Sequence, residues 1–520
     1  MRRDRLLQVV VAAGAVLRLA NYVRRPALSF DETMLSVNIG TRSFTGLLHT
    51  LDYDQVAPPL FLWLTRAVTR VGGMNEWTLR VLPLVAGLVL PLAVWRLARK
   101  LLPEGAALFA ALIVALAPGL VQYAGIVKPY AIDALVTTVL LDLALEVRTR
   151  NDQRSWAWLI GIGALAIPLS AAALLILASI GICLTFSHWR TRWGALAVAA
   201  VLWLGFFALI YTTVYRDTAA SVFMQRFWVH DFLIPRSFGI HGRAWGILKN
   251  SFIEALLLRP TPDLLAFFFC LVVLVGLVWI TRQKGFFALW LLVGPVLFTG
   301  VASSVYRYPF SWRLLQFAVP LVALWLAAAG AAMTTVLGTM GARAGVAAVA
   351  LVLVVVNVSH PYRTSPTRTL IDDWANRAGP TEPIYVFQGA VPAWAFYTSD
   401  WSHPDSAWLE ALAQVHLNRD ADLDLARAGR REIIGHYTGI QWYTVEGATQ
   451  AHPDSTWPGH ETRRIKASGS GNIWLLFTQT YKDEVPQLLR ALADSGVTRV
   501  YADSARGASL YEYRIGGASR

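Results

Sequence analysis

The sequence predicts a polytopic α-helical membrane protein that closes with a small extracytoplasmic α/β domain. Three observations lead there. Apolar runs of roughly 18 residues or more recur up to about residue 360, the length that crosses about 30 Å of hydrocarbon. Of the 520 residues, 55% are hydrophobic and 15% charged, with a mean hydropathy of +0.46, whereas about a quarter of residues are charged in soluble domains. After His360-Pro361 the long apolar runs stop and short β-type runs take their place.

Taken in order, the apolar runs fall at 6–23, 79–98, 105–125, 130–147, 155–168, 170–187, 194–214, 263–281, 285–304, 314–333 and 344–359. The first follows Met1-Arg-Arg-Asp-Arg, as a signal peptide would. No small-x-small cleavage site precedes Arg24-Arg25, so it reads as a retained helix. Residues 155–187 form one stretch too long for an upright helix, and Pro168 divides it, because proline disfavours helix in the residue before it. About eleven spans put the two termini on opposite sides.

Lysine and arginine set the orientation. With the N-terminus inside, the inner loops hold Arg96, Arg99 and Lys100; Arg148, Arg150 and Arg154; Arg190 and Arg192; Arg282 and Lys284; and Arg343. The short outer turns near Val127 and Ser170 hold only Lys128. Residues 24–78, 215–262 and everything after about 360 are then outside. This is a multi-pass protein of the inner or plasma membrane, with a cytoplasmic N-terminus and an extracytoplasmic C-terminal domain.

The first two outer segments are amphipathic. Thr33 to Leu51 and Pro58 to Val71 alternate apolar and polar residues at roughly helical spacing and suit helices lying in the interface plane. Residues 215–262 carry Phe223, Phe227, Trp228, Phe232, Phe238 and Trp245 among Arg216, Arg226, Arg236 and Arg243, a composition suited to headgroups.

Two domains follow from this, a membrane domain over 1–360 and an α/β domain over 361–520. In the latter, strands are expected at Ile384-Tyr-Val-Phe, Glu432-Ile-Ile, Ile473 to Phe477, Val497 to Tyr501 and Leu510 to Tyr513. Helices are expected at Leu370 to Arg377 and Lys482 to Asp494. His452 to Ser470, rich in Pro, Gly and Ser, reads as a loop. His403, His416, His436, His452 and His460 lack metal-ligand spacing, so no metal site is assigned. Cys183 and Cys270 lie inside expected spans, where a small apolar residue explains them. The net charge of +13 fits inner-loop topology and lipid phosphates, with no nucleic-acid motif in view.

The polar residues left at the outer surface form the candidate site. Asp31 and Glu32 follow the first span, where burial or a nearby cation can tune a carboxylate as a general base; the bland alternative is a helix cap and first turn. Asp54 and Gln55 precede Pro58-Pro59, which holds them in a turn, Asp54 alternatively capping the helix that starts at Pro59. Lys128 stands before Pro129, at the positive end of the fourth span, a phosphate site or a snorkelling lysine. Tyr130 and Asp133 share a face of that helix's first turn. Between spans nine and ten, Tyr306, Arg307, Tyr308, Trp312 and Arg313 crowd one short turn. Arginine grips phosphate bidentately, tyrosine can bond a headgroup or stack on a sugar, and an aromatic belt explains Tyr306 and Trp312 equally well. Glu76 and Arg80, one turn apart, read as a helix salt bridge.

Phe-Asp31-Glu32, Asp54-Gln-Val-Ala-Pro58-Pro59-Leu-Phe, Glu76-Trp-Thr-Leu-Arg80-Val-Leu-Pro, Lys128-Pro-Tyr130-Ala-Ile-Asp133 and Tyr308-Pro-Phe-Ser-Trp-Arg313-Leu-Leu occur in that order. The pattern, over residues 1–360, resembles the GT-C superfamily of membrane glycosyltransferases, in the branch of the protein O-mannosyltransferases and lipid A aminoarabinose transferases. The resemblance implies transfer from a polyprenyl-phosphate sugar to an envelope glycan, lipid or protein, with inversion. It implies Asp31 as catalytic base, with Lys128, Tyr130 and Arg307 on the donor phosphate. Tyr308 and Arg313 then join the donor site, and Asp54, Gln55 and Asp133 line the acceptor cleft. Glu32 can orient the acceptor or hold a divalent cation; no other cofactor is called for. Many relatives carry a histidine before the double proline; Ala57 stands here, so no acceptor or metal contact is carried over to it. The rival reading is a transporter or flippase of a lipid-linked sugar, which would place ionisable groups near mid-membrane and repeat its halves.

Overall fold

A computed structural model describes residues 2–233, 243–259, 262–359, 366–417, 422–435, 456–469, 471–480, 484–505 and 507–516. Arg236, Phe238, His360, Pro361, His436 and His452 lie outside the described residues, as do the side chains of Phe223, Arg226, Arg243 and His416. The helices in chain order are α1 (Arg2–Val23), α2 (Phe30–Thr41), α3 (Pro59–Gly72), α4 (Glu76–Leu101), α5 (Glu104–Leu116), α6 (Pro118–Tyr123) and α7 (Tyr130–Arg150). Next come α8 (Gln153–Ala166), α9 (Ala173–His188), α10 (Trp193–Ile210), α11 (Arg216–Ala220), α12 (Val222–Phe227), α13 (Arg243–Leu257), α14 (Asp263–Ser304) and α15 (Val319–Ser359). The last are α16 (Thr367–Arg377), α17 (Val391–Thr398), α18 (Ser406–Leu417), α19 (Trp457–Lys466) and α20 (Glu484–Asp494).

They form two compact units. One comprises Met1–Arg25, Val56–Val68 and Trp77–Tyr362; the other comprises Pro26–Gln55, Thr69–Glu76 and Arg363–Arg520. Pro26–Gln55 and Thr69–Glu76 thus share a unit with the C-terminal residues.

In the first unit, six helices among the described residues are long and apolar enough to cross a membrane, and α5 and α9 are shorter apolar helices. At 42 residues, α14 is about twice the length of one span, and it breaks at Gly285. The 41-residue α15 breaks at Gly338. Both glycines have positive φ, +77° and +66°, where a side chain would be strained. The expected span 105–125 is not one helix. Pro118 lacks the N–H that Val114's carbonyl would take, so α5 stops and α6 starts on a new course. Buried Arg18 of α1 fills the gap, donating to Val114 O at 3.0 Å and Ala115 O at 2.7 Å, and Asn357 donates to Leu116 O at 2.8 Å.

In the second unit, the expectation of an interfacial helix over Thr33 to Leu51 is corrected. Helix α2 ends at Thr41 and is buried continuously from Glu32 to Ile39. Thr33, Ser36 and Asn38 are buried rather than facing water, Thr33 and Asn38 bonding the carbonyls of Phe30 and Met34, so the alternating pattern marked no wet side. By contrast α3 keeps a one-sided pattern, with Phe61, Leu62, Thr65 and Thr69 buried and Leu64 and Val71 exposed.

The same unit holds a six-stranded sheet ordered β2-β3-β1-β4-β6-β5. Its strands are β1 (Ile384–Phe387), β2 (Leu423–Arg427), β3 (Arg430–Gly435), β4 (Gly471–Thr478), β5 (Thr498–Ala505) and β6 (Ala508–Ile515). Central β1 runs parallel to β3 and β4, and the other pairs are antiparallel. All four residues of β1 are buried, as suits a strand covered on both faces. The loop expected at His452 to Ser470 contains α19 instead. Pro458 sits in its first turn, where its missing N–H costs nothing, and Trp457 and Ile465 anchor it in the core.

Candidate active site

Asp31, Glu32, Asp54 and Gln55 belong to the second unit, and Lys128, Tyr130, Asp133, Arg307, Tyr308 and Arg313 to the first. In the second unit, Ser29 is the N-cap of α2, and its N–H donates to Glu32 Oε2 at 2.9 Å. Glu32 is fully buried, while Asp31 beside it is half-buried. At this point the cap alternative describes Glu32: its carboxylate closes the helix start reciprocally. Asp31 presents the more accessible acid.

The turn bearing Asp54 is fixed from α2. Arg42 donates to Asp52 Oδ1 at 2.9 Å, and Gln55 Nε2 to Tyr53 O at 3.2 Å. Tyr53 and Asp54 have φ of +61° and +51°, a left-handed pair that costs about 1–3 kcal/mol per residue. Burial, then the neighbouring Asp52, raises the Tyr53 phenol, which stays neutral. Glu76, read as the partner of Arg80, is gripped by Arg368 at 2.7 Å.

In the first unit, Pro129 opens α7 and its carbonyl accepts the Asp133 N–H at 2.8 Å. Lys128, one residue earlier, is only 8% exposed. Tyr130 meets Tyr123 edge-on at 4.9 Å, and Tyr123 lies 5.9 Å from Trp312. Helix α6, which ends in Tyr123, is wedged close: a Cβ on Gly119 would stand 1.9 Å from the Ala255 carbonyl oxygen, to which Gln316 also donates at 3.0 Å. Arg313 stacks over Trp228 at 4.5 Å and Phe227 at 5.7 Å.

Asp133 is buried beside Ser170 and the Ala171 backbone. Asp133 Oδ1 and Ser170 Oγ have no hydrogen-bond partner among the described residues. Tyr130, Asp133 and Tyr215 all bear on Tyr308, whose phenol is pushed well up, by burial first and then by Asp133. It remains a neutral donor and bonds Leu314 O at 3.1 Å. Arg307 is exposed, and its side chain has no partner among the described residues. Lys128, Tyr130, Asp133 and Tyr308 therefore fall along the start of α7, with Arg313 on its own aromatic face. Tyr123, Tyr215, Trp228 and Trp312 were not assigned from sequence; only their aromatic character near outer turns signalled them.

Asp422, His460 and Glu461 are brought close enough to share an ion, although their spacing gave no sign of it. Arg464 already sits among them, 3.1 Å from Glu461, 3.5 Å from Asp422 and 3.0 Å from Asp424. With Arg431 also on Asp424, the cluster is an ion-pair network in which arginines occupy the carboxylates.

The fold is that of solved ArnT and oligosaccharyltransferase structures. Residues 56–215 match the family model described as dolichyl-phosphate-mannose-protein mannosyltransferase. The structure is similar to ArnT from Cupriavidus metallidurans in the apo state, with a TM-score of 0.57 at 15% identity over 98% of both chains. The same enzyme bound to undecaprenyl phosphate gives 0.57 at 14% identity over 97% of both chains. The Archaeoglobus fulgidus oligosaccharyltransferase in complex with Zn and sulfate gives 0.51 at 15% identity, over 98% of this chain and 73% of that one. No curated protein matches the chain by sequence. The resemblance carried by the motifs and their order is met by both kinds of comparison.

Proposed function

We propose that the protein is an integral-membrane glycosyltransferase that moves a sugar from a polyprenyl-phosphate donor to an extracytoplasmic acceptor, with inversion. The observation that carries this reading is the family match over residues 56–215 within a chain whose fold follows ArnT from end to end. That relative binds undecaprenyl phosphate, which sets the class of donor expected here. The topology that goes with it is about eleven spans, an inner N-terminus and an outer C-terminal domain, as the basic inner loops require.

In the reaction, Asp31 takes the proton of an acceptor hydroxyl as that oxygen bonds to the anomeric carbon. The bond from that carbon to the phosphate oxygen breaks on the opposite face, and the electron pair leaves with polyprenyl phosphate. Lys128 and the N-terminal end of α7 stabilise the charge that develops there, an electrostatic role that needs no acid. Tyr130, Tyr308, Arg307 and Arg313 hold phosphate and sugar, Arg313 being pre-oriented by its stacking on Trp228. Asp54, Gln55 and Asp133 contact the acceptor side. Glu32 shapes the turn that presents Asp31, since its Oε2 is engaged by the Ser29 N–H.

The test is sugar transfer by the purified protein in nanodiscs, wild type against Asp31→Asn, with radiolabelled polyprenyl-phosphate sugars and extracted envelope acceptors. Transfer by wild type and its loss in the variant, with undecaprenyl phosphate binding kept, is the expected outcome. Equal transfer by both removes Asp31 from the mechanism. Movement of the lipid across a vesicle bilayer without transfer overturns the enzyme in favour of a flippase.

A further inference from the structure

Helix α2, which carries Asp31 in its first turn, rests at both ends on one short stretch of the C-terminal residues. At its entry, the Leu28 N–H donates to the Tyr397 hydroxyl at 2.7 Å, across 369 residues of sequence. Near its exit, Gly40 lies flush on the indole of Trp401. A Cβ there would stand 2.3 Å from Cζ3, 2.8 Å from Cε3 and 2.9 Å from Cη2, so only hydrogen fits. Gly40 is not among the residues with positive φ, and its small size therefore answers to the tryptophan rather than to the backbone. Trp401 is itself fixed, donating from Nε1 to Phe396 O at 2.9 Å with its ring 5.6 Å from that of Phe396. Residues 396–401 thus meet a 12-residue helix at two points.

Because α2 is buried from Glu32 to Ile39, it moves as a rod, and a displacement at Gly40 reaches Asp31. The same rod holds the turn of Asp54 through Asn38 and Arg42. We propose that Tyr397 and Trp401 are positioning residues for Asp31, and that residues 363–520 serve as the scaffold of the acid-bearing loop. This rests on the reading of Asp31 as base. The C-terminal part then acts on turnover without touching the reacting atoms, and the donor-phosphate residues, which belong to the other unit, are unaffected.

The experiment compares Gly40→Ala, Gly40→Ala with Trp401→Leu, Tyr397→Phe and Asp31→Asn in the full-length protein. Turnover is measured with the polyprenyl-phosphate sugar that wild type uses, and binding with undecaprenyl phosphate. Gly40→Ala is expected to lower kcat about ten- to a hundredfold, the scale of a misplacement near 1 Å, with undecaprenyl phosphate affinity unchanged. Trimming Trp401 in the double variant removes the clash but also the surface on which α2 rests, so kcat stays well below wild type. In Tyr397→Phe, the Leu28 amide loses hydrogen-exchange protection and kcat falls. Wild-type kcat in Gly40→Ala or in the double variant, or unchanged Leu28 protection in Tyr397→Phe, overturns the inference. A dead Asp31→Asn beside an unaffected Gly40→Ala removes this inference alone. An active Asp31→Asn removes the base reading, and the inference with it.

Discussion

Asn38 and Asp52 hold each other through two hydrogen bonds: the Asp52 N–H donates to Asn38 Oδ1 at 2.8 Å, and Asn38 Nδ2 donates to the Asp52 carbonyl at 3.2 Å. This exchange ties α2 to the turn in which Tyr53 and Asp54 adopt left-handed backbone. Asn38→Ala leaves both Asp52 backbone groups without that partner and releases the turn. A loss of about 2–4 kcal/mol is expected in denaturant unfolding, with a fall in sugar transfer.

Arg18 substitutes for the N–H that Pro118 lacks. Arg18→Met orphans the Val114 and Ala115 carbonyls, and the expected cost is about 3–5 kcal/mol, since both bonds come from a charged donor. Pro118→Ala returns an N–H to Val114 O and should recover part of that loss in the double variant. A double-mutant cycle in detergent reads the coupling directly; strict additivity would show that the two sites are independent.

Burial raises the Glu432 carboxyl above its ordinary range, although Trp408 Nε1 donates to its Oε2 at 2.7 Å. A carboxyl whose folded pKa is raised favours the folded state at low pH, and this contribution is lost as pH rises through the folded value. Glu432→Gln keeps an acceptor for Trp408 and removes the titration. The variant is expected to be more stable than wild type at neutral pH, and the difference should shrink on acidification. Thermal unfolding across pH 4 to about 8 checks the sign.

Lys128 is the buried cation at the start of α7. Lys128→Met should weaken undecaprenyl phosphate binding about ten- to a hundredfold, the worth of one charge-assisted hydrogen bond. Arg313→Lys should also weaken it, because lysine cannot reproduce both the stacking on Trp228 and a bidentate grip. Titration of each variant with undecaprenyl phosphate distinguishes them from wild type.

The membrane class and five strands were legible because apolar runs and β-branched clusters are local signals. Strand β2 was not: Leu423-Asp-Leu-Ala-Arg427 alternates half-buried and exposed residues at a sheet edge, where charge replaces apolar pattern. Helix α17 hid behind Pro392, and α2 was misread because Thr33, Ser36 and Asn38 are polar yet buried. Of the proposed site, Asp31 and Lys128 could be chosen by order and by their place beside the spans. Tyr397, Trp401, Asn38 and Arg42 could not, because what makes them matter is a partner that no local window contains.

The distance between Leu28 and Tyr397 also sets a schedule. At about 5–20 residues per second, roughly 20–70 s of synthesis separate the helix from its support. Throughout that interval the chain has made Asp31 but not the surface that fixes it. The acid-bearing segment is translated long before the residues that hold it. If Asp31 is the base, a nascent chain carries it in an unset position until Trp401 has been made.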